Sequence, residues 1–258
     1  MMKRINIISL FVIITVILTW STGCQKLTQI EGNGSVVIEE RNSVSFNRVN
    51  NQGVFSVYII PDTVTYLEIE AESNLIPHIK TTVHGNTLEI DTRENLSSNH
   101  AMIIRVHTPS VASVVLSGSG LINVSNLDTD EFEAILSGSG VIYGDVIANT
   151  FRSSISGSGE IDFVIDSDIT TGAISGSGNI ILSGTSNFGD YRISGSGNID
   201  AYTLPIAECY AKISGSGNIY TMVSDLLTVN ITGSGNLYYR GNPTINQNIS
   251  GSGQIIGQ

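Results

Sequence analysis

Any chemistry in this chain would have to come from four histidines, a few paired carboxylates, many serines and two cysteines. His78, His84, His100 and His107 form no His-x-x-x-His pair and no Cys/His cluster, so no metal site is expected. Asp128/Asp130 and Asp166/Asp168, with Asp162 nearby, are the residue types a glycoside hydrolase would need. They read instead as a solvated acidic face, because the two pairs lie two repeat units apart. The serines recur in near-identical surroundings, whereas an activated nucleophile needs one distinct environment with a base. Gly-Ser-Gly is not a phosphate loop here, since neither a helix nor a P-loop lysine follows it. Arg192 and Lys212 hold the same place in consecutive repeats. They either bind an anion or sit in solvent beside acidic neighbours, the second being the plainer reading. No catalytic residue and no cofactor is expected.

The serines belong to a repeat. A hydrophobic residue precedes Ser-Gly-Ser-Gly at Leu116, Leu136, Ile155, Ile174, Ile193, Ile213, Ile231 and Ile249, with Thr232 replacing Ser once. Spacings run from 18 to 20 residues, and six positions after each anchor stands Ile or Leu. A flexible linker places no demand on its neighbours. This one fixes them on both sides. Four residues before the anchors lie Phe132, Phe151, Thr170, Gly189, Cys209, Leu227 and Ile245, and the positions two before are also largely apolar or small. The position between is largely polar. That is a period of two, a strand with one buried face. Stacked coils of such strands predict an all-β fold: a parallel, right-handed β-helix of about eight coils, spaced about 4.8 Å apart.

Alternation carried through the motif would turn both glycines inward and let the opposite wall approach. The other reading is a tight turn that needs left-handed glycine. A strand with a bend is favoured. The outward residues then form a candidate binding ladder, hydrogen-bonded up each column: Ser156, Ser158, Ser175, Ser177, Asn179, Ser194, Ser196, Asn198, Ser214, Ser216, Asn218 and Asn236. Cys209 shares a column with Phe132 and Leu227, which makes it a core thiol.

Residues 35–110 alternate as strands without the repeat, for example "TYLEIEA" and "NTLEID". "SNLIPHI" at 73–79 reads as one helical turn capped by Ser73 or Asn74. No linker separates this part from the repeats. We therefore read 35–258 as a single β domain whose first part, 35–110, covers the open end of the solenoid formed by 111–258. No capping segment follows the last coil, which makes it a candidate contact for a homo-oligomer.

The first residues read as an export signal over 1–23: Lys3 and Arg4, then the apolar Ile5–Trp20, then Ser21, Thr22 and Gly23. Cys24 follows directly, and the arrangement resembles the bacterial lipobox, in which the cysteine is acylated. Ser21 stands where Leu, Val or Ile is usual. The resemblance implies an exported protein held on a membrane through Cys24 in the periplasm or on the cell surface, with the outer membrane favoured. Residues 24–34 would be a polar tether. The formal net charge of −11 argues against nucleic acid as a partner and against electrostatic binding to anionic lipid.

The repeated "SGSGNI", the strand-rich part before it and the export signal together resemble the Bacteroidetes family called putative auto-transporter adhesin, head GIN domain (DUF2807). The Gly-Asn-Ile order at 178–180, 197–199 and 217–219 carries the likeness, which spans roughly 40–258. It implies a β-helical exported protein and supplies no catalytic residues. The expected function is a non-enzymatic cell-envelope lipoprotein, an adhesin or binding scaffold for a glycan or an envelope protein. The alternative is a β-helical polysaccharide-active enzyme, a lyase or hydrolase. A third reading has a flat Ser/Asn ladder binding an ordered surface such as ice or crystalline glycan.

Overall fold

The structure, a computed structural model, describes residues 29–258. The expected signal (1–23), Cys24 and the start of the expected tether lie outside the described residues. The first part of the fold contains β1 (Gln29–Glu31), β2 (Val36–Asn42), β3 (Arg48–Asn51), β4 (Ser56–Pro61), β5 (Tyr66–Glu72), β6 (Lys80–His84), β7 (Thr87–Asp91), β8 (Asn95–Ser97) and β9 (Ile103–Thr108). The repeats follow as β10 (Ser113–Leu116), β11 (Leu121–Leu136), β12 (Val141–Ile155), β13 (Glu160–Ile174), β14 (Asn179–Ile193) and β15 (Asn198–Ile213), then β16 (Ile219–Ile231), β17 (Leu237–Arg240), β18 (Thr244–Ile249) and β19 (Ile255–Gly257).

From β10 onward every coil pairs in parallel with the next, giving the all-β parallel solenoid. The β11–β16 strands run 13 to 16 residues, so one coil is nearly one strand, closed by the motif. Anchors stack on anchors: Leu116 on Leu136, and so on to Ile231 on Ile249. Seven of them are buried, and Ile249 in the last coil is 39% exposed because no described strand stacks over it. Repeat-length differences are absorbed away from the motif, where the register shifts between Val124 and Leu127, Ile181 and Ser183, and Ala201 and Pro205. At the first of these sites Asn126 adopts φ 51° and the Asp145 carboxylate accepts its N–H at 2.5 Å.

The core compensates for size from coil to coil. Phe132, Phe151 and Phe163 cluster with ring centroids 5.1 to 6.0 Å apart. The column of Phe132 and Phe151 then shrinks to Thr170 and Gly189, and the fully buried Tyr191 fills the space: a side chain at Gly189 would meet the Tyr191 ring at 3.0 Å. Thr170 joins Ser167 and Ser186 in a buried hydroxyl cluster whose members bond at 2.8 to 3.3 Å. Tyr191 has no such partner for its hydroxyl, and burial pushes its pKa well up. Removing that hydroxyl removes an unpaid desolvation penalty. Tyr191→Phe is therefore expected to stabilise the protein by about 1 kcal/mol, seen as a higher urea midpoint with an unchanged m-value.

The first part does more than cover an end. It contributes two further rungs, stacked out of chain order. β3 and β4 lie against β10 and β11, and β7 and β9 lie against β3 and β4, all in parallel. Asn51–Val57 thus occupies the place of Leu116–Ile122. Here the buried Asn51 side chain closes the bend, donating to the Phe55 carbonyl at 2.8 Å and accepting from Gly53 N–H at 3.1 Å. The antiparallel β2–β5–β9 set and the β6–β7 hairpin complete this end.

Two local expectations change. The turn at 76–78 is a 3-10 turn with Leu75 at its N-cap and no side-chain cap. Asn74 instead donates to the Glu31 carbonyl and accepts from Asn33 N–H. Within the expected tether, β1 pairs with β8, and the buried Glu72 carboxylate accepts from Gly34 N–H and the Ser98 hydroxyl, each at 2.5 Å. The Ser98 hydroxyl, more than the Gly34 N–H, holds that carboxyl below the usual range. Gln29–Glu31, inside the segment read as a tether, is therefore a paired strand.

Candidate functional site

The motif is a bend within the ladder. The chain bends through Ser-Gly-Ser, yet its N–H groups keep bonding along the stack: Ser175 N to the Ile155 carbonyl, Ser177 N to Gly157 O and Asn179 N to Gly159 O, at 2.9 to 3.1 Å. None of the motif glycines has φ in the left-handed region, which removes the tight-turn reading. The opposite wall is not what requires glycine either. A Cβ at Gly176 would fall on the carbonyl oxygen of Gly157 in the preceding coil, and one at Gly178 on that of Gly159. Glycine is needed because successive coils touch backbone to backbone.

This geometry sorts the candidate ladder. The Asn column bonds along the stack. The Asn198 side chain donates to Asn179 Oδ1 at 3.4 Å, and its own Oδ1 accepts from Asn218 N at 3.0 Å; Asn218 Oδ1 then accepts from Asn236 N at 2.9 Å. The serine columns differ. Ser156, Ser158, Ser175, Ser177, Ser194, Ser196, Ser214 and Ser216 are exposed. Ser214 Oγ is the one of these hydroxyls that reaches back to the stack, 3.4 Å from the Ile193 carbonyl. Serine hydroxyls on this wall are thus free for a ligand, and the asparagines are largely committed to structure.

The structure then brings half of the serines together with the two cations. Ser156, Ser175, Ser194 and Ser214 flank a groove of about 420 Å³, and Arg192 and Lys212 line its other side. It forms because the outward column just before the anchors is small at Ser154 and Ala173, between Ile135 and Arg192. Ile135 and Ala173 give its floor an apolar surface, with the chain at Ile155, Ile174 and Ile193 beside them. Arg192 is held by Asp190, Nε to Oδ1 at 2.9 Å and a terminal nitrogen to Oδ2 at 2.7 Å. Lys212 carries the free positive charge of the groove, with no carboxylate within 4 Å among the described residues. Ser158, Ser177, Ser196 and Ser216 lie across the bend, outside the groove. The groove was missed in the sequence because its signal is an absence of bulk at Ser154 and Ala173. The bend and groove also mean that the wall is not flat, which takes away the basis for binding an ordered planar surface.

Several of the other candidate residues have structural partners. Asp128 and Asp166 share a column with Ile147 between them. Asp166 accepts from the Thr185 hydroxyl at 2.7 Å, Asp168 from the Asn187 amide at 2.8 Å and Asp130 from the Asn149 amide at 3.4 Å. Three of these carboxylates are thus engaged by neutral neighbours along the stack. His107 stacks on Tyr66 with centroids 4.2 Å apart and lies 3.2 Å from Asp62, and His78 lies 3.7 Å from Glu94. Among the described residues no group of three or more His, Cys, Asp or Glu is placed to hold a metal. Cys209 is buried as a core thiol, and desolvation pushes its pKa up to about 12. Tyr220 and Tyr238 stack at 4.9 Å, with Tyr202 edge-on at 5.4 Å and the Arg240 guanidinium 4.1 Å from the Tyr202 ring centroid. Each of these rings covers a neighbour, so the tyrosines read as a staple for the last coils.

Fold and site together define a parallel β-solenoid that offers a repeated hydroxyl wall and a shallow groove. Residues 45–243 match the family described as "Putative auto-transporter adhesin, head GIN domain" (DUF2807), and the chain belongs to that family. A "putative lipid binding protein" from Parabacteroides distasonis ATCC 8503 has a similar structure, with a TM-score of 0.82 and 25% identity over 90% of this chain and all of that one. Two crystal structures of "putative adhesin" proteins share the fold. The one from Parabacteroides merdae ATCC 43184 has a TM-score of 0.82 at 22% identity, covering 89% of this chain and 99% of that one. The one from Parabacteroides distasonis ATCC 8503 has a TM-score of 0.82 at 24% identity, covering 90% of this chain and 100% of that one. No curated protein matches the sequence.

Proposed function

We propose that this protein is a non-enzymatic binding scaffold of the cell envelope, exported and held on a membrane through a lipid on Cys24. The groove carries the reading. Serine hydroxyls repeat along it at the coil spacing, free at Ser156, Ser175 and Ser194, beside one free lysine charge at Lys212, which suits an elongated partner, a glycan chain or an extended segment of an envelope protein. Family membership supports an adhesive role. The last coil adds a contact between copies of the chain. Gly241–Gln258 carries no charged side chain, so like-charge repulsion between two acidic molecules is weakened there.

The anchor and the ligand are tested separately. Cys24→Ala should move the protein from the membrane fraction to the soluble fraction, and unchanged retention would refute the anchor. Photo-crosslinkers at Ser156 and Ser194 on intact cells, with a glycan array probed by residues 25–258, should capture a partner on the serine wall. Capture of neither a glycan nor an envelope protein there would overturn the scaffold reading.

A further inference from the structure

A second hollow lies one outward column from the groove, at the end nearer the N-terminal rungs. Its volume is about 480 Å³, within the range of small-ligand pockets. Arg48, Ser113, Glu133 and Arg152 follow one another up a single column, one per coil. Arg48 reaches past the small Ser113 to Glu133, nitrogen to oxygen 3.5 Å. Beneath that bridge Ser113 is only 3% exposed, and its hydroxyl has no hydrogen-bond partner. Asn47 lines the same hollow, and its Oδ1 is likewise buried and unpaired. Asn86 and Glu131 are the other polar residues of the lining, beside Ala112 and Phe132.

The donor set selects a ligand class. The two guanidinium groups donate, the two carboxylates accept, and the amides and the hydroxyl do both. Vicinal hydroxyls on a sugar ring need such a mixture, because each O–H both donates and accepts. The charges balance, two against two, so the hollow does not favour a phosphate, a sulfate or a uronic acid. Buried unpaired polar atoms are costly. A ligand that displaces the exposed Arg48 from Glu133 would uncover Ser113 and Asn47 and give them hydroxyl partners. Position supports an extended ligand. Arg152 and Ser154 are two residues apart on the same outward face, about 7 Å, so the hollow opens beside the groove.

We propose that this hollow receives a neutral sugar residue of a glycan whose chain continues along the serine groove. The proposal rests on the scaffold reading and narrows it. The test uses the chain without its lipid-bearing cysteine, residues 25–258, on an array of glucose-, galactose-, mannose- and N-acetylglucosamine-terminated glycans beside sialylated and sulfated ones. Neutral glycans should bind. Arg152→Ala and Glu131→Ala change exposed side chains, so thermal melts should match wild type, while each should weaken binding at least tenfold. Asp225→Ala, on another face, should bind like wild type. The side-chain amide signals of Asn47 and Asn86 should shift on titration with the best-binding glycan. Neutral glycans that bind both hollow variants as tightly as wild type would overturn the hollow and leave the scaffold standing. Binding of charged glycans alone would overturn it too. So would an empty array alongside a crosslinked envelope protein, an outcome that keeps the scaffold as a protein binder.

Discussion

Gly176→Ala is expected to destabilise the protein by about 3 kcal/mol, the upper range of overpacking strain, although it adds a single methyl to a surface bend. The new Cβ would land on the Gly157 carbonyl oxygen. That oxygen also accepts the Ser177 N–H at 3.0 Å, so the coils cannot part without losing a ladder bond. The neighbour is backbone fixed on both sides by parallel pairing, and no rotamer change can relieve the overlap. Gly172→Ala is the control. Its Cβ would meet Ile199, Tyr191 and Ser153 at 3.4 to 3.7 Å, ordinary contact. There the entropy lost from the unfolded chain should leave stability unchanged or raised by up to about 1 kcal/mol. Urea unfolding of the pair separates the two accounts: equal midpoints would refute the backbone contact as the reason for the motif.

Phe151→Ala should cost about 4 kcal/mol. Phe151 is fully buried, with its ring 6.0 Å from Phe132 and 5.1 Å from Phe163. The coils on either side are locked in register by backbone pairing, so the cavity cannot collapse by moving one strand alone. Phe151→Leu, which keeps most of the volume, should cost roughly 1 to 2 kcal/mol. A loss below about 1 kcal/mol for the alanine variant would mean that the solenoid wall yields far more than interiors packed at crystal density do.

Much of the repeat was legible because its demands are local. A strand buried on one face must alternate, and a coil that pairs with its copy must keep its length. The columns from Phe132 to Ile245 and from Leu116 to Ile249 could therefore be read directly. The rungs formed by β3 with β4 and by β7 with β9 could not. "NQGVFSV" reaches the same bend through the Asn51 side chain and keeps only the first glycine of Ser-Gly-Ser-Gly, as Gly53. Those rungs also stack against chain order, which no periodicity encodes. The groove was hidden for another reason. Ser154 and Ala173 matter only because Arg192, two coils from Ser154, is long.

The sequence by itself determined the parallel solenoid, its coil length, its inward columns and the core position of Cys209. Alternation and identical spacing are enough to define them. Only the tertiary structure decided why the motif must be glycine, which ladder residues are free, and where bulk is missing on the wall. Each of these depends on what the neighbouring coil places within a few ångströms. "SGSG" therefore identified the rung, and coil-on-coil contact revealed both the backbone approach that requires the glycines and the serines left facing solvent.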